Sequence, residues 1–269
     1  MTSESGAAAG RRPVLVTGAT GTLGREVVRR LVDAGRPVRA LSRHPRPSGA
    51  PECGWVTGDL STGEGLDEAL DGVGTVVHCA TTLGRKDADT TRELTVAARR
   101  NGAPHLVFVS IVGVDRVPLP YYRTKLVAER IVEKSGLPWT VLRATQFHEL
   151  LARMTTGQRR FPVVLTLRGV RFQPVDAGEV AQRLVELALG EPAGRVADMG
   201  GPEVWDAEEL TGRTLRAYGL RRRIVPLRLP GKIFRGFREG GNLARDHAVG
   251  TVTYDDFLAA AGDRRARGA

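Results

Sequence analysis

Short apolar runs alternate with amphipathic stretches along the first two thirds of the chain. The apolar runs, rich in Val, Leu and Ala, begin at Val14 and recur at 38–42, 55–57, 75–80, 106–110 and 137–143. Between them apolar residues recur at helical spacing, as in Leu23, Val27, Val28, Leu31 and Val32. A further helix is predicted from about Asp89 to Asn101. Runs that are apolar on both faces are typical of parallel strands covered by helices. The pattern therefore predicts an α/β fold, a doubly wound parallel sheet with helices on both faces.

A glycine-rich turn, TGATGTLG at 17–24, joins the first predicted strand to the first predicted helix. Gly18, Gly21 and Gly24 allow a sharp backbone turn, close approach to a pyrophosphate, and tight packing of the helix on its strand. Free N–H groups and the positive end of the helix dipole then face the phosphates. A strand before and a helix after the glycines are the context that this motif requires, so we expect a dinucleotide site here.

The residues that follow the second predicted strand indicate which dinucleotide is preferred. Sites that prefer NAD place Asp or Glu about 20 residues past the glycines, where the carboxylate holds the ribose 2′-hydroxyl. This chain has Ser42-Arg43-His44 instead. A guanidinium pairs with a 2′-phosphate through two hydrogen bonds, so Arg43, and less so Arg39, predicts NADP(H) in preference to NAD(H). The alternative is that Arg43 is one more surface arginine in an arginine-rich protein.

The motif TGATGTLG resembles the TGxxGxxG fingerprint of the extended and atypical short-chain dehydrogenase/reductases, whose fold is of the Rossmann type. From about residue 14 to about 202 the chain resembles their NmrA-like branch. The resemblance implies cofactor contacts at the turn, at a "GDL" sequence beside the adenine, at the end of the fourth strand and beyond the sixth. The residues concerned are Gly18, Thr20, Gly21, Thr22, Leu23, Gly24, Asp59, Leu60, Ala80, Thr81 and Thr145. Asp59 has an alternative role as the N-cap of the next helix.

Three residues match the catalytic positions of that family. Ser110 ends the fifth predicted strand, and Tyr121 and Lys125 are four residues apart, on one face of the helix that follows. A nearby ammonium lowers the pKa of a tyrosine, which then passes a proton to a carbonyl oxygen as hydride arrives from the nicotinamide. Lys125 is also expected to hold the nicotinamide ribose, and Ser110 to hydrogen-bond the substrate oxygen.

Two alternatives to catalysis stay open at this point. Tyr121 or Tyr122 can join the core face of the same helix, and NmrA-like proteins often bind the cofactor without preserving the chemistry. The typical short-chain enzymes carry NNAG where this chain has HCAT at 78–81, which indicates an atypical member. We interpret His78 as a core histidine and Asp176 as a helix cap, and expect Thr145, Gln146 and Phe147 on the pocket floor.

Composition narrows the class of partner. The formal net charge is +10, but 36 of the 40 basic residues are arginines scattered along the chain, without a helix-turn-helix, zinc-finger or RNP-type pattern. We therefore predict a small-molecule substrate and no specific nucleic acid. Cys53 and Cys79 lack CxxC spacing and the five histidines are dispersed, so no metal site is predicted. No apolar run approaches the ~18 residues of a membrane span, and we expect a cytoplasmic monomer or homodimer.

The predicted organisation has four segments: a flexible tail at 1–11, an NAD(P)-binding Rossmann domain at 12–202, a small substrate or lid region packed on it at 203–262, and a charged tail at 263–269. Within 203–262 we expect a helix with Asp206 as its N-cap that runs to about Tyr218, a strand at 221–225 and a helix at 250–260. The Pro/Gly/Arg-rich part at 226–242, with exposed-looking Ile233, Phe234 and Phe237, suggests a lid or a dimer surface.

These features together predict an NADP(H)-dependent oxidoreductase that reduces a carbonyl, a quinone or a similar small acceptor. One alternative is a non-catalytic NADP(H)-binding redox sensor that acts through protein partners. A nucleotide-sugar epimerase, which retains NAD tightly, is less favoured because of Arg43.

Overall fold

The computed structural model describes residues 12–82 and 84–266, with side chains as far as residue 262. The predicted tail at 1–11 and the last residues of the predicted charged tail, 267–269, lie outside the described residues. The strands are β1 Val14–Thr17, β2 Val38–Ser42, β3 Gly54–Thr57, β4 Thr75–His78, β5 His105–Ile111, β6 Trp139–Ala144, β7 Val163–Leu167, β8 Arg171–Phe172, β9 Gly194–Arg195, β10 Trp205–Asp206 and β11 Arg223–Leu227. The α-helices are α1 Thr22–Asp33, α2 Leu66–Leu70, α3 Asp87–Arg100, α4 Pro120–Glu133, α5 His148–Thr156, α6 Ala177–Leu189, α7 Ala207–Ala217, α8 Lys232–Arg238 and α9 Tyr254–Ala266.

Seven of the strands form one sheet in the order β3-β2-β1-β4-β5-β6-β9. β1 pairs in parallel with β2 on one side and with β4 on the other, so that Thr17 lies opposite Leu41 and His78. The predicted doubly wound α/β fold is thereby confirmed. The chain runs outward from β1 to β3 and then returns to β4 on the other side of β1. In open α/β sheets the ligand crevice lies at the carboxyl ends of the strands at such a reversal.

Contacts between residues divide the chain into two compact units. The first holds the chain through Val109, together with Thr124–Leu142 and Ala181–Val196. Its core is built from apolar strand residues such as Leu15, Val76 and Phe108, against which α2, α3 and α4 pack Leu66, Leu94 and Val132. All of these side chains are almost completely buried, as expected for strands covered on both faces.

The second unit holds Ser110–Arg123, Arg143–Val180 and Ala197–Ala269. It contains two small sheets, antiparallel β8–β10 and parallel β7–β11, and α7 packs on the latter. Phe237 in α8 is 9% exposed and its ring lies 6.0 Å from Tyr122 and 6.3 Å from Phe172. The expectation that Phe237 is exposed was therefore wrong: this ring belongs to an aromatic core.

Three predicted helix caps have different outcomes. Asp176 accepts a hydrogen bond from the Glu179 N–H (3.0 Å) at the start of α6, which confirms it as a cap. α7 begins directly after Asp206, as predicted, but that carboxylate makes no capping hydrogen bond. The alternative role of Asp59 as an N-cap was wrong, because the next helix, α2, begins only at Leu66, after Gly65.

Candidate functional site

The glycine turn brings β1, β4 and α1 closer together than side chains would allow. Gly18 has a positive φ of 68°, and a Cβ there would lie 2.7 Å from both the N and the Cα of Ala80 at the end of β4. A Cβ at Gly24 would overlap the carbonyl oxygen of Gly18. Positive φ and close backbone approach both require glycine. The turn therefore has the shape that the motif predicts.

The N-terminus of α1 is available to an anion. Gly21 stands at its N-cap position, makes no side-chain capping bond, and no acidic residue occupies the first turn. The first N–H groups of a helix lack partners inside the helix, and the dipole adds positive potential there. The residues present thus fit a diphosphate at this helix end.

A cleft of about 610 Å³ opens beside this turn in the first unit. Predicted cofactor residues that line it come from the turn, the end of β2, the β3–α2 loop and the end of β4: Gly18, Thr20, Gly21, Arg43, Asp59, Leu60, Ala80 and Thr81. Further lining residues, which sequence reasoning did not propose as cofactor contacts, are Leu41, Ser42, Gly58, Ser61, Cys79, Thr82, Lys86 and Thr90. Predicted residues outside the lining are Thr22, Leu23, Gly24, Lys125 and Thr145.

Two cations, Arg43 and Lys86, and one carboxylate, Asp59, are among the side chains that line the cleft. The Asp59 Oδ1 accepts hydrogen bonds from the Ser61 N–H (2.7 Å) and hydroxyl (2.8 Å). These bonds, followed by the nearby charges of Arg43 and Lys86, lower the pKa of Asp59. Arg39, the second candidate for a cofactor arginine, donates instead to the carbonyls of Glu68, Ala69 and Asp71 at the end of α2. Its role is structural.

His78 is a core residue, as the sequence indicated. It is 1% exposed, and its two ring nitrogens lie 2.7 Å from the Thr17 hydroxyl and 3.2 Å from the Thr91 hydroxyl. Burial, followed by the positive charge of Lys125, lowers the pKa of His78 to about 3. The imidazole is therefore neutral at any physiological pH.

Lys125 of α4 is buried behind the cleft wall. Its Nζ donates to the Val109 carbonyl at 3.4 Å, lies 4.7 Å above the Phe108 ring and lies 3.9 Å from the carboxylate of Asp87. Burial lowers the pKa of Lys125, and the negative charge of Asp87 opposes that shift. Asp87, at the start of α3, was not singled out from the sequence, because it carries no recognisable motif.

The second unit contains the remaining predicted catalytic residues. The Ser110 and Thr145 hydroxyls are buried and make no hydrogen bond within the described residues. Tyr122 is 5% exposed and its hydroxyl accepts a hydrogen bond from Gln146 Nε2 (3.0 Å); burial raises its pKa. Tyr121, its neighbour, is only half-buried. Of the two tyrosines, Tyr122 is the one that joins the core.

A family model described as NAD(P)H-binding matches residues 18–189. The chain belongs to this NAD(P)H-binding family. It is 35% identical, over 215 residues, to the (4-alkanoyl-5-oxo-2,5-dihydrofuran-3-yl)methyl phosphate reductase of Streptomyces griseus, covering 77% of this chain and 74% of the relative. It is 28% identical over 250 residues to the photosystem II assembly factor Ycf39 of Trieres chinensis, covering 86% and 78%.

Among solved structures, this NAD(P)H-binding chain is similar to the Escherichia coli NADPH-dependent quinone oxidoreductase QOR2 in complex with NADPH. The TM-score is 0.77 at 19% identity, covering 92% of this chain and 99% of the other. At that identity the likeness shows the fold alone.

The described residues contain neither a group of three or more His, Cys, Asp or Glu side chains arranged to hold a metal ion nor a helix long and apolar enough to cross a bilayer.

Proposed function

We propose that this NAD(P)H-binding protein is an NADP(H)-dependent oxidoreductase that reduces a carbonyl, a quinone or a similar small acceptor. The observation that carries the proposal is the cleft beside the glycine turn, which combines an uncapped helix N-terminus with two cationic side chains. The reductase activity named for the Streptomyces griseus relative supports the assignment to reduction.

The preference for NADP(H) rests on the charges around the cleft. β2 ends at Ser42 and is followed by Arg43, so no carboxylate stands where NAD-preferring sites hold the ribose 2′-hydroxyl. Arg43 and Lys86 both line the cleft, and the positive charge of each lowers the pKa of Asp59. A guanidinium with a second cation suits a 2′-phosphate dianion.

When it is bound, the nicotinamide supplies the hydride. In our proposal the α1 N–H groups hold the diphosphate, and the Lys125 ammonium holds the nicotinamide ribose hydroxyls. Tyr121 donates the proton to the substrate oxygen, and its position four residues before Lys125 in α4 puts both on one face of that helix. Ser110 donates a hydrogen bond to the same oxygen.

Two features of the second unit support these roles. A buried hydroxyl without a partner is destabilising, so the Ser110 hydroxyl favours a ligand atom as its missing partner. Tyr122 is buried and its hydroxyl accepts a hydrogen bond from Gln146, whereas Tyr121 is half-buried, which favours Tyr121 as the tyrosine that a substrate can reach.

The proposal is tested by titrating the protein with NADPH, NADH and NADP⁺ by intrinsic fluorescence, then screening quinones and ketones with the form that binds. Replacing Arg43 by Gln should weaken NADPH binding by about tenfold or more, equivalent to about 1.4 kcal/mol, and leave NADH binding unchanged. Arg99→Gln, at an exposed arginine outside the cleft lining, is the matched control. Equal loss of NADPH and NADH affinity in Arg43→Gln would contradict the assignment.

A second candidate function is a redox sensor that binds NADP(H) and acts through protein partners. The likeness to Ycf39, named as an assembly factor, favours it. Acceptor-dependent oxidation of NADPH supports the oxidoreductase. Equal tight binding of NADPH and NADP⁺ without turnover over the acceptor panel supports the sensor.

A further inference from the structure

Asp87 is a buried carboxylate bonded to the wall of the cleft. It is the first residue of α3 and is 2% exposed. Its Oδ2 accepts a hydrogen bond from the Thr81 hydroxyl (2.5 Å), and its Oδ1 accepts from the N–H (2.6 Å) and the hydroxyl (2.7 Å) of Thr82. Thr81 and Thr82 both line the cleft. A single carboxylate therefore fixes the backbone and two side chains of this wall.

The same carboxylate is an ionic partner of Lys125. The Asp87 Oδ2 lies 3.9 Å from Lys125 Nζ, and the ammonium is 4% exposed. A buried ammonium without a compensating charge is strongly unfavourable. The Val109 carbonyl and the Phe108 ring supply partial charges to Lys125, but neither carries a full negative charge.

Other titratable groups around Lys125 come from β4, the residue after it and α4. His78 has a pKa of about 3, and burial raises the pKa of Cys79 to about 12, so both are uncharged near neutral pH. Glu129, one helical turn further along α4, is 1% exposed and also favours the charged form of Lys125. Asp87 differs from Glu129 in its place, because it comes from α3 and is hydrogen-bonded to Thr81 and Thr82 in the cleft wall.

We propose that Asp87 is a positioning residue that holds the Lys125 ammonium and the Thr81–Thr82 wall in one connected unit, and so sets where the cation stands relative to the cofactor cleft. The proposal rests on the proposed function, in which Lys125 binds the cofactor ribose. Asp87 acts through Lys125 and through the wall, and is not itself assigned a contact with substrate or cofactor.

The expected pH dependence follows from the charges. Burial lowers the pKa of Lys125, and Asp87 raises it. Asp87→Asn keeps the size of the side chain but removes the negative charge, so Lys125 loses its proton at a lower pH. An opposite charge 4–6 Å away changes a pKa by about 1–3 units. NADPH affinity should therefore fall off at least ~1 pH unit earlier in Asp87→Asn than in the wild type.

The experiment measures NADPH affinity from pH 6 to pH 10 in the wild type and three variants. At pH values between the two Lys125 midpoints, Asp87→Asn should have lost up to about tenfold more affinity than the wild type. Thr82→Val removes one wall hydrogen bond without changing charge, so its loss should be the same at every pH. Asp89→Asn removes an exposed carboxylate two residues away in the same helix and should match the wild type.

A cofactor-independent measurement accompanies the titration. The chain has four lysines, so NMR of labelled lysine Nζ groups gives a small set of signals, and Lys125→Met assigns one of them. The Lys125 midpoint should fall in Asp87→Asn. If Asp87→Asn does not fold, Asp87→Glu, which keeps the charge, takes its place, and a Lys125 midpoint that stays near the wild-type value is the expected result.

The outcomes separate the two proposals. If Asp87→Asn binds NADPH with the affinity and pH dependence of the wild type, and its Lys125 midpoint is unchanged, the role of Asp87 is overturned. The proposed function then stays intact. A midpoint that falls in Glu129→Gln and not in Asp87→Asn also overturns it, in favour of Glu129. If the Lys125 midpoint falls in Asp87→Glu, which keeps the negative charge, the proposed role of Asp87 is overturned as well. Absence of NADPH binding by the wild type overturns the proposed function and this inference with it.

Discussion

Replacing Gly24 by alanine tests the glycine turn directly. An added Cβ would lie 2.7 Å from the Gly18 carbonyl carbon and 3.0 Å from the Ala19 Cα, whereas ordinary contact begins at 3.4 Å. The first residues of α1 must therefore move by at least 0.7 Å, the difference between 3.4 and 2.7 Å. Inserting a methyl group into a packed site destabilises the folded protein by about 1–3 kcal/mol. Replacing a helical glycine by alanine stabilises it by about 0.5–1 kcal/mol.

We expect Gly24→Ala to lower the free energy of unfolding by about 1.2 kcal/mol, the difference between the mid-range values of these two effects, about 2 and about 0.75 kcal/mol. Because the α1 N–H groups that we propose to hold the diphosphate move with the helix, the Kd for NADPH should rise by about tenfold or more. Chemical denaturation and fluorescence titration measure the two quantities.

Gly212→Ala is the matched control, because Gly212 also lies inside a helix, α7, but a Cβ there comes no nearer than 3.4 Å to any atom. It should stabilise the protein by about 0.5–1 kcal/mol and leave the Kd for NADPH unchanged. If Gly24→Ala were as stable as Gly212→Ala and bound NADPH as the wild type does, the turn would not be the cradle that we describe.

Two further predictions concern the tyrosine pair and the buried histidine. Tyr121→Phe should reduce turnover by about 10²–10⁴-fold, the usual contribution of a general acid, and leave NADPH affinity nearly unchanged. Tyr122→Phe loses the hydrogen bond from Gln146 and should keep most of its turnover. If acceptor assays showed equal losses in the two variants, Tyr121 would have no role in the mechanism. The pKa of His78 is about 3 in the fold against 6.5 as its ordinary value, so the unfolded chain binds a proton between these pH values and the native state does not. Stability should therefore fall by about 2 kcal/mol from this residue between pH 7.5 and pH 5. Urea unfolding at both pH values should show that His78→Gln loses about 2 kcal/mol less stability than the wild type between pH 7.5 and pH 5.

Much of the first unit could be predicted because its sequence signals are local. The central strands are continuous apolar runs, and β2 was predicted with the bounds that the structure shows. The glycine turn was recognisable because positive φ and close packing both require glycine at fixed spacing. A local sequence pattern shows whether apolar residues recur with the spacing of a strand or of a helix, and which residue types a turn requires.

The second unit was harder to predict because its elements depend on distant partners. α5 and β7, between residues 148 and 167, had no predicted counterpart, and β7 is stabilised by pairing with β11, about 60 residues further along the chain. Phe237 lies in a Pro/Gly/Arg-rich segment that looks like surface, yet Tyr122 and Phe172, both distant in sequence, enclose its ring. A hydrophobic residue in such a segment does not itself reveal which partner will cover it.

Asp87 and Asp89 show why a site residue can be invisible in a sequence. The pattern predicts a helix from about Asp89, which leaves Asp87 in the loop before it. In the structure α3 begins two residues earlier, and two residues along a helix correspond to a rotation of about 200°. Asp89 therefore points outward, with a side chain 72% exposed, whereas Asp87 is 2% exposed and reaches Thr81, Thr82 and Lys125. The predicted and observed starts of this helix differ by two residues, and the buried carboxylate lies within that interval. Asp87 also supplies the strongest of the charges that favour the protonated form of Lys125, and it comes from another helix, so no pattern within α4 reveals it.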